Sequence, residues 1–212
     1  MSFGQTQALI EYTAGNEERT LELILSAVCH SLVAWTDNPV QWIAVEQHGR
    51  SALQPHLDSL DAHRTVGWLS PAFPLLLTAE RKATVQGTLS AVRGALRTCD
   101  AASYGLLRYL NAAPGLADRF AAYPQPEISV RLAPDWAELL PTRVQMLDDA
   151  FGAPRSPASQ RAHLIDVVAA LHNDRLRLRW LYSEQMHEHS TIARLAQHCR
   201  EALQLLLAND AR

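Results

Sequence analysis

The chain is 212 residues long, 48% hydrophobic and 19% charged, with a formal net charge of −3. A chain of that length buries about 70% of the surface its unfolded form exposes, enough for one large domain or lobe without disulfide staples. The mildly acidic balance argues against a nucleic-acid partner, no apolar run approaches the ~20 residues of a membrane helix, and no basic-then-apolar leader opens the chain, so a cytoplasmic protein is expected.

Residues 17 to 35 read as the first helix, with Leu21, Ile24, Leu25, Val28, Leu32 and Trp35 recurring at three- and four-residue steps to make one apolar stripe. Asp37-Asn38-Pro39 stops it, because proline cannot continue a helix and restricts the residue before it. VQWIAVEQ (40–47) follows as a strand rich in β-branched and aromatic residues, apolar on both faces. A polar stretch, SALQPHLDSLDAHR, leads into VGWLSPAFPLLLT (66–78), where Pro71 and Pro74 forbid a regular central strand and predict a bent or edge segment.

A second amphipathic helix is expected over roughly 80 to 97, carrying Val85, Leu89, Val92 and Leu96 on its stripe. Residues 103 to 110 read as a short apolar helix or turn, ended by Pro114-Gly115, and 127–132 and 144–147 as short strands. The stretch 148 to 160 has the composition of an exposed loop. HLIDVVAAL (163–171) and RLRLRWLY (175–182) flank His172-Asn173-Asp174, a hairpin signal. Its second strand places Leu176, Leu178, Trp180 and Tyr182 on one face and Arg175, Arg177 and Arg179 on the other. The last helix starts at Ser190 as N-cap and turns Ile192, Leu195, Cys199, Leu203 and Leu206 inward. Helices and strands intermix, so the class is α/β, a single domain over 1–212 made of a mixed β-sheet with helices packed on it. Cys29, Cys99 and Cys199 are odd in number and set in apolar periodic segments, which predicts reduced, buried thiols.

Five segments, in order, carry a resemblance. VEQHGR (45–50) is similar to an EGHGRE signature, with Gln47 for the glycine and Ser51 for the final glutamate. RTVGWLSPAFPLLL (64–77) resembles TVGWFTSxxP, and YGLLRYL (104–110) matches GYGLLRYL. PEISVRL (126–132) sits at PQISFNYLG and keeps only the proline, isoleucine and serine. The closing segment RSPASQRAHLIDV, the hairpin and LYSEQMHEHSTIARLA resemble the family's last strands and helix. One short motif is weak evidence; five at consistent spacing are strong. The family is the condensation/epimerization superfamily of nonribosomal peptide synthetases. The resemblance implies a chloramphenicol-acetyltransferase-like lobe, the C-terminal of two that enclose an active-site tunnel. The N-terminal lobe of the family carries an HHxxxDG motif, and no two of the nine histidines here are adjacent.

By that resemblance Glu46 is the candidate base. Inverting an α-carbon on a thioester removes a proton from one face and delivers one to the other, so two positioned groups are needed. The plainer reading is a structural carboxylate paired with Arg50 or capping a turn. His48 and Arg50 are candidate substrate contacts, or else a turn in which Gly49 supplies backbone freedom and Arg50 ties the loop down. Trp68 would line the tunnel floor or serve as ordinary core, and Tyr104 lies in the YGLLRYL segment as a further candidate. Arg131, a further candidate substrate contact, replaces a neutral amide close to the reacting thioester, which argues against ordinary epimerase chemistry. His187-Glu188-His189 offers two ligands without a third, so no metal site is expected. The arginine row 175/177/179 is a solvated strand face or a contact for a phosphopantetheine arm or carrier protein.

The resemblance implies no bound cofactor; the substrate arrives on the phosphopantetheine arm of a peptidyl carrier protein. The expected function is a C-lobe catalytically incomplete by itself, completed by a separate N-terminal lobe or by a second copy in a homodimer. Trp42, Trp68, Leu69 and Phe73 would form the face that meets it. The rival is a non-catalytic module recruiting a carrier protein or tailoring enzyme. An independent acyltransferase finds no support in any Ser/His/Asp arrangement or nucleophile elbow.

Overall fold

The computed structural model describes residues 1–47, 49, 65–110, 115–133, 156, 159–172 and 174–209. The chain opens on a helix that its apolar periodicity does not announce, α1 (Phe3–Thr13). A capping box holds its start: the Ser2 hydroxyl accepts from the Gln5 N–H while the Gln5 side chain accepts from the Ser2 N–H. Helix α2 (Glu17–Thr36) follows, capped by Asn16 and stopped at Asp37, which takes the left-handed conformation ahead of Pro39. Leu23, Ile24, Leu25, Ala27, Val28 and Leu32 are all fully buried, too many for one stripe. Helix α2 is central, packed against the sheet and against both later long helices. Each such leucine, isoleucine or valine side chain taken from water contributes on the order of 1.5–3 kcal/mol.

Five strands form one mixed sheet in the order β2-β1-β3-β4-β5. They are β1 (Val40–Glu46), β2 (Ala72–Thr78), β3 (Ile128–Leu132), β4 (Ile165–His172) and β5 (Arg175–Tyr182). Strand β1 pairs antiparallel with β2 and parallel with β3; β3 pairs parallel with β4, and β4 antiparallel with β5. The 66–78 segment resolves as expected into an irregular stretch followed by an edge strand. The Gln47 N–H donates to Pro71 O, so hydrogen-bonded pairs recur at Val45 and Phe73. Pro74, opposite Ala44, then falls where a missing N–H breaks no ladder bond.

Ile43 and Val45, Leu75 and Leu77, Val130, Ile165, Val167, Ala169 and Leu176 are buried on the helix side of the sheet. Helix α3 (Val85–Thr98), N-capped by Thr84, starts later than the expected 80 because its first orphan N–H groups find that hydroxyl. Helix α4 (Ala101–Gly105) runs into a π-helical turn, Leu106–Leu110, and α5 (Leu116–Ala121) follows. The last helix, α6 (His189–Asn209), packs on α2 and begins one residue before the expected cap. Glu188 O accepts from the Thr191 and Ile192 N–H groups instead. Ile192, Leu195, Cys199, Leu203 and Leu206 point inward as expected.

All three cysteines are free, Cys29 and Cys199 fully buried and Cys99 half-buried. The strand expected at 144–147 and most of the 148–160 loop lie outside the described residues.

Candidate functional site

The strand alternation that buries Ile43 and Val45 turns Trp42, Ala44 and Glu46 to the opposite face. The parallel register sets Ala44 beside Ser129 and Glu46 beside Arg131 on that same face. Two residues far apart in sequence, both singled out from it, are thus neighbours at the carboxyl ends of adjacent strands, and both are half-buried. Continuing across the sheet, the row runs from Ala72 through Glu46, Arg131 and Val168 to Arg179. Among the described residues neither Glu46 nor Arg131 forms an ion pair.

The two signature segments are laced together at this end of the sheet. Past the Glu46–Ala72 pair and the Gln47–Pro71 hydrogen bond, Gly49 is packed against the backbone of Leu69. A Cβ at Gly49 would overlap the Leu69 carbonyl oxygen and lie 2.9 Å from Pro71 Cδ. The reason for glycine is therefore close approach, since Gly49 is not among the positive-φ glycines. This corrects the expectation that it supplies backbone freedom. His48 and Arg50 lie outside the described residues.

Trp68 is 80% exposed and Val66 fully so, which removes the core reading of that tryptophan. The expected apolar face changes accordingly. Phe73 is 2% exposed and belongs to the core, because odd positions of β2 face the helices. Leu69 is half-buried, and so is Trp42, whose indole N–H donates to Pro124 O at 2.7 Å. Tyr104 stands apart from the Glu46 group, on α4, which packs against β2. Its ring meets Phe120 edge-on at 5.7 Å, and its hydroxyl accepts from Arg108. The Arg108 guanidinium lies over both the Tyr104 and Tyr109 rings, so Tyr104 holds the YGLLRYL turn together.

A polar network next to Glu46 and Arg131 went unread in the sequence. Ser129 Oγ donates to Asp166 Oδ1 at 2.5 Å, and Arg161 Nη2 donates to Asp166 Oδ2 at 2.5 Å and to Leu181 O at 2.9 Å. Its signal is one acidic residue inside the apolar run HLIDVVAAL. Asp166 faces the same side as Glu46, one row along, and its partners consume its charge. No group of three or more His, Cys, Asp or Glu residues suited to a metal ion occurs among the described residues, and no helix among them is long and apolar enough to cross a membrane. Chemically the arrangement offers one carboxylate, a flanking guanidinium and a hydroxyl–carboxylate network on an exposed sheet face. The second proton-transfer group that inversion requires is not in this row.

No family model matches the chain. It is 32% identical over 210 residues to one of the proteins that make up linear gramicidin synthase in Brevibacillus parabrevis, covering 97% of this chain and 3% of that protein. The solved epimerization domain from the third module of tyrocidine synthetase B superposes with a TM-score of 0.82 at 25% identity, over 99% of this chain and 46% of that one. The first condensation domain of the CDA synthetase shares the fold, with a TM-score of 0.56 at 18% identity over 96% of this chain and 43% of that one. The chain therefore spans a small fraction of the gramicidin synthase protein and about half of each solved domain. By its homologues and its fold, it belongs with the condensation and epimerization domains of nonribosomal peptide synthetases, as about half of one such domain.

Proposed function

We propose that the chain is the C-terminal lobe of an epimerization-type domain, acting on aminoacyl or peptidyl groups tethered to a peptidyl carrier protein, and catalytically incomplete by itself. Glu46 carries the reading. It is a half-buried carboxylate at the carboxyl end of β1, in the segment that resembles the family's signature, facing away from the core. Within these 212 residues no HHxxxDG motif supplies the second group, and one carboxylate cannot serve both faces of an α-carbon. Incubation with a loaded carrier protein should give no inversion of the released amino acid above the protein-free control. Adding a separately expressed HHxxxDG-bearing half should restore it, and Glu46→Gln should then lower the restored rate by about 10²–10⁴-fold. Inversion by the chain alone that is lost in Glu46→Gln overturns the incompleteness. Restored inversion that is indifferent to Glu46→Gln overturns the role of the carboxylate.

A second reading, a binding module that recruits a carrier protein or tailoring enzyme without catalysis, has one observation in its favour. Arg131 puts a guanidinium directly beside Glu46, a fixed positive charge where a proton has to be moved. If complementation fails for wild type but succeeds in Arg131→Asn, this second reading is the correct one.

A further inference from the structure

Strand β5 is a sheet edge that turns Arg175, Arg177 and Arg179 to the face opposite the core, and all three are exposed. Alternate residues of a strand lie about 6.8 Å apart, so the three guanidinium groups form an evenly spaced row. None of them makes an ion pair among the described residues. Arg131 extends the cationic surface inward, two strands away in the same cross-strand row as Arg179. Within the strands the acids on this face are Glu46 and Asp166, and Asp166 is already tied to Arg161. Charged residues on an edge strand guard against unwanted pairing, but that purpose is served by either sign. Here every one is cationic in a chain of net charge −3.

We propose that the β5 arginine row is a docking surface for the acidic face of a carrier domain. This rests on the carrier-linked reading above and assigns where that partner sits. Arg179 and Glu46 are separated by three interstrand spacings, about 14 Å. A carrier seated on β5 therefore has its tethered group facing β4 and β3, on the way to the Glu46 carboxylate. Recognition is by carboxylates on the carrier's own surface, and the phosphate of its arm is an additional, weaker contact.

The test is isothermal titration calorimetry of the chain with the carrier domain of its own synthetase, as apo and as phosphopantetheinylated holo protein, from low to high salt. Apo and holo carrier should bind within about threefold of each other, and both should weaken steeply as salt rises. Reversing the row in Arg175→Glu/Arg177→Glu/Arg179→Glu should weaken binding on the order of tenfold or more. Arg175→Lys/Arg177→Lys/Arg179→Lys should stay within about threefold of wild type. Because the three side chains are exposed, circular dichroism of both variants should match wild type. Unchanged binding in the glutamate variant overturns the docking surface and leaves the carrier reading standing. Binding by holo but not apo carrier also overturns it, assigning the arginines to the arm's phosphate. Failure of wild type to bind either form at low salt removes the carrier reading itself and this inference with it.

Discussion

Gly49 and Glu46 sit three residues apart and hold opposite kinds of information. Glu46 is a half-buried carboxylate facing away from the core, whereas Gly49 is buried with Leu69 O where its Cβ would be. Gly49→Ala should therefore destabilise the protein by about 1–3 kcal/mol or more through forced backbone displacement, read as a lower urea midpoint. Two other glycines isolate the cause. Gly67 has nothing within 4 Å of an added Cβ, and Gly67→Ala should shift stability by less than about 0.5 kcal/mol. Gly15 has open space too but a φ of +69°, and Gly15→Ala should cost about 1 kcal/mol from strain alone. If Gly49→Ala melts with the wild type, the two signature segments are not held together by this contact.

The central helix pair carries a titration of its own. Cys29 on α2 and Cys199 on α6 are both fully buried, and burial pushes each thiol up from 9.0 to about 12. A group whose folded value is raised contributes stability that is fully present below its unfolded value and is lost as pH rises toward the folded one. Each thiol should remove about 1.4 kcal/mol per pH unit between 9 and 12, so pH 8 to 10 costs about 3 kcal/mol for the two together. Urea midpoints should fall accordingly, and in Cys29→Ala/Cys199→Ala the alkaline slope should flatten whatever the cavities do to the neutral-pH midpoint. An unchanged slope in the double variant would mean the thiols stay hydrated. The burial of both cysteines is legible in sequence because each is set in an apolar periodic segment, and the β4–β5 hairpin is legible because its pairing is local. Helix α1 is not, since only Thr6, Leu9 and Thr13 of its eleven residues are buried and it makes no stripe. Its readable mark is the Ser2–Gln5 capping box. The Glu46–Arg131 adjacency is likewise hidden, because parallel pairing between β1 and β3 is set by sheet order and by the crossover, which no local pattern encodes.

At the scale of the whole molecule, two segments each expose more than one large apolar residue. Val66 and Trp68 lie beside the end of β1, and Leu106, Tyr109 and Leu110 stand out from the turn that follows α4, which packs against β2. Leu110 is 76% exposed in a segment that the sequence reads as a short apolar helix or turn. Surface of this kind marks an interface, and the chain has the length of about half of the epimerization domain it superposes on. A complementary HHxxxDG-bearing half should cover it, transferring the Trp68 indole from water to an apolar contact and shifting its fluorescence to the blue. Trp68→Phe should lose most of that shift while still associating. Trp68→Asp should block association and leave the stability of the monomer within about 0.5 kcal/mol, because nothing in the core depends on the exposed ring. Without the added half, a second copy is the available occupant, and an isologous contact through one shared patch closes as a dimer. Sedimentation equilibrium should show the average mass rising toward twice 23.5 kDa with concentration. It should fall back to the monomer in Trp68→Asp, and the dimer should give way to a heterodimer when the complementary half is supplied. A blue shift that persists in Trp68→Phe, or a dimer indifferent to Trp68→Asp, would place the interface elsewhere on the sheet.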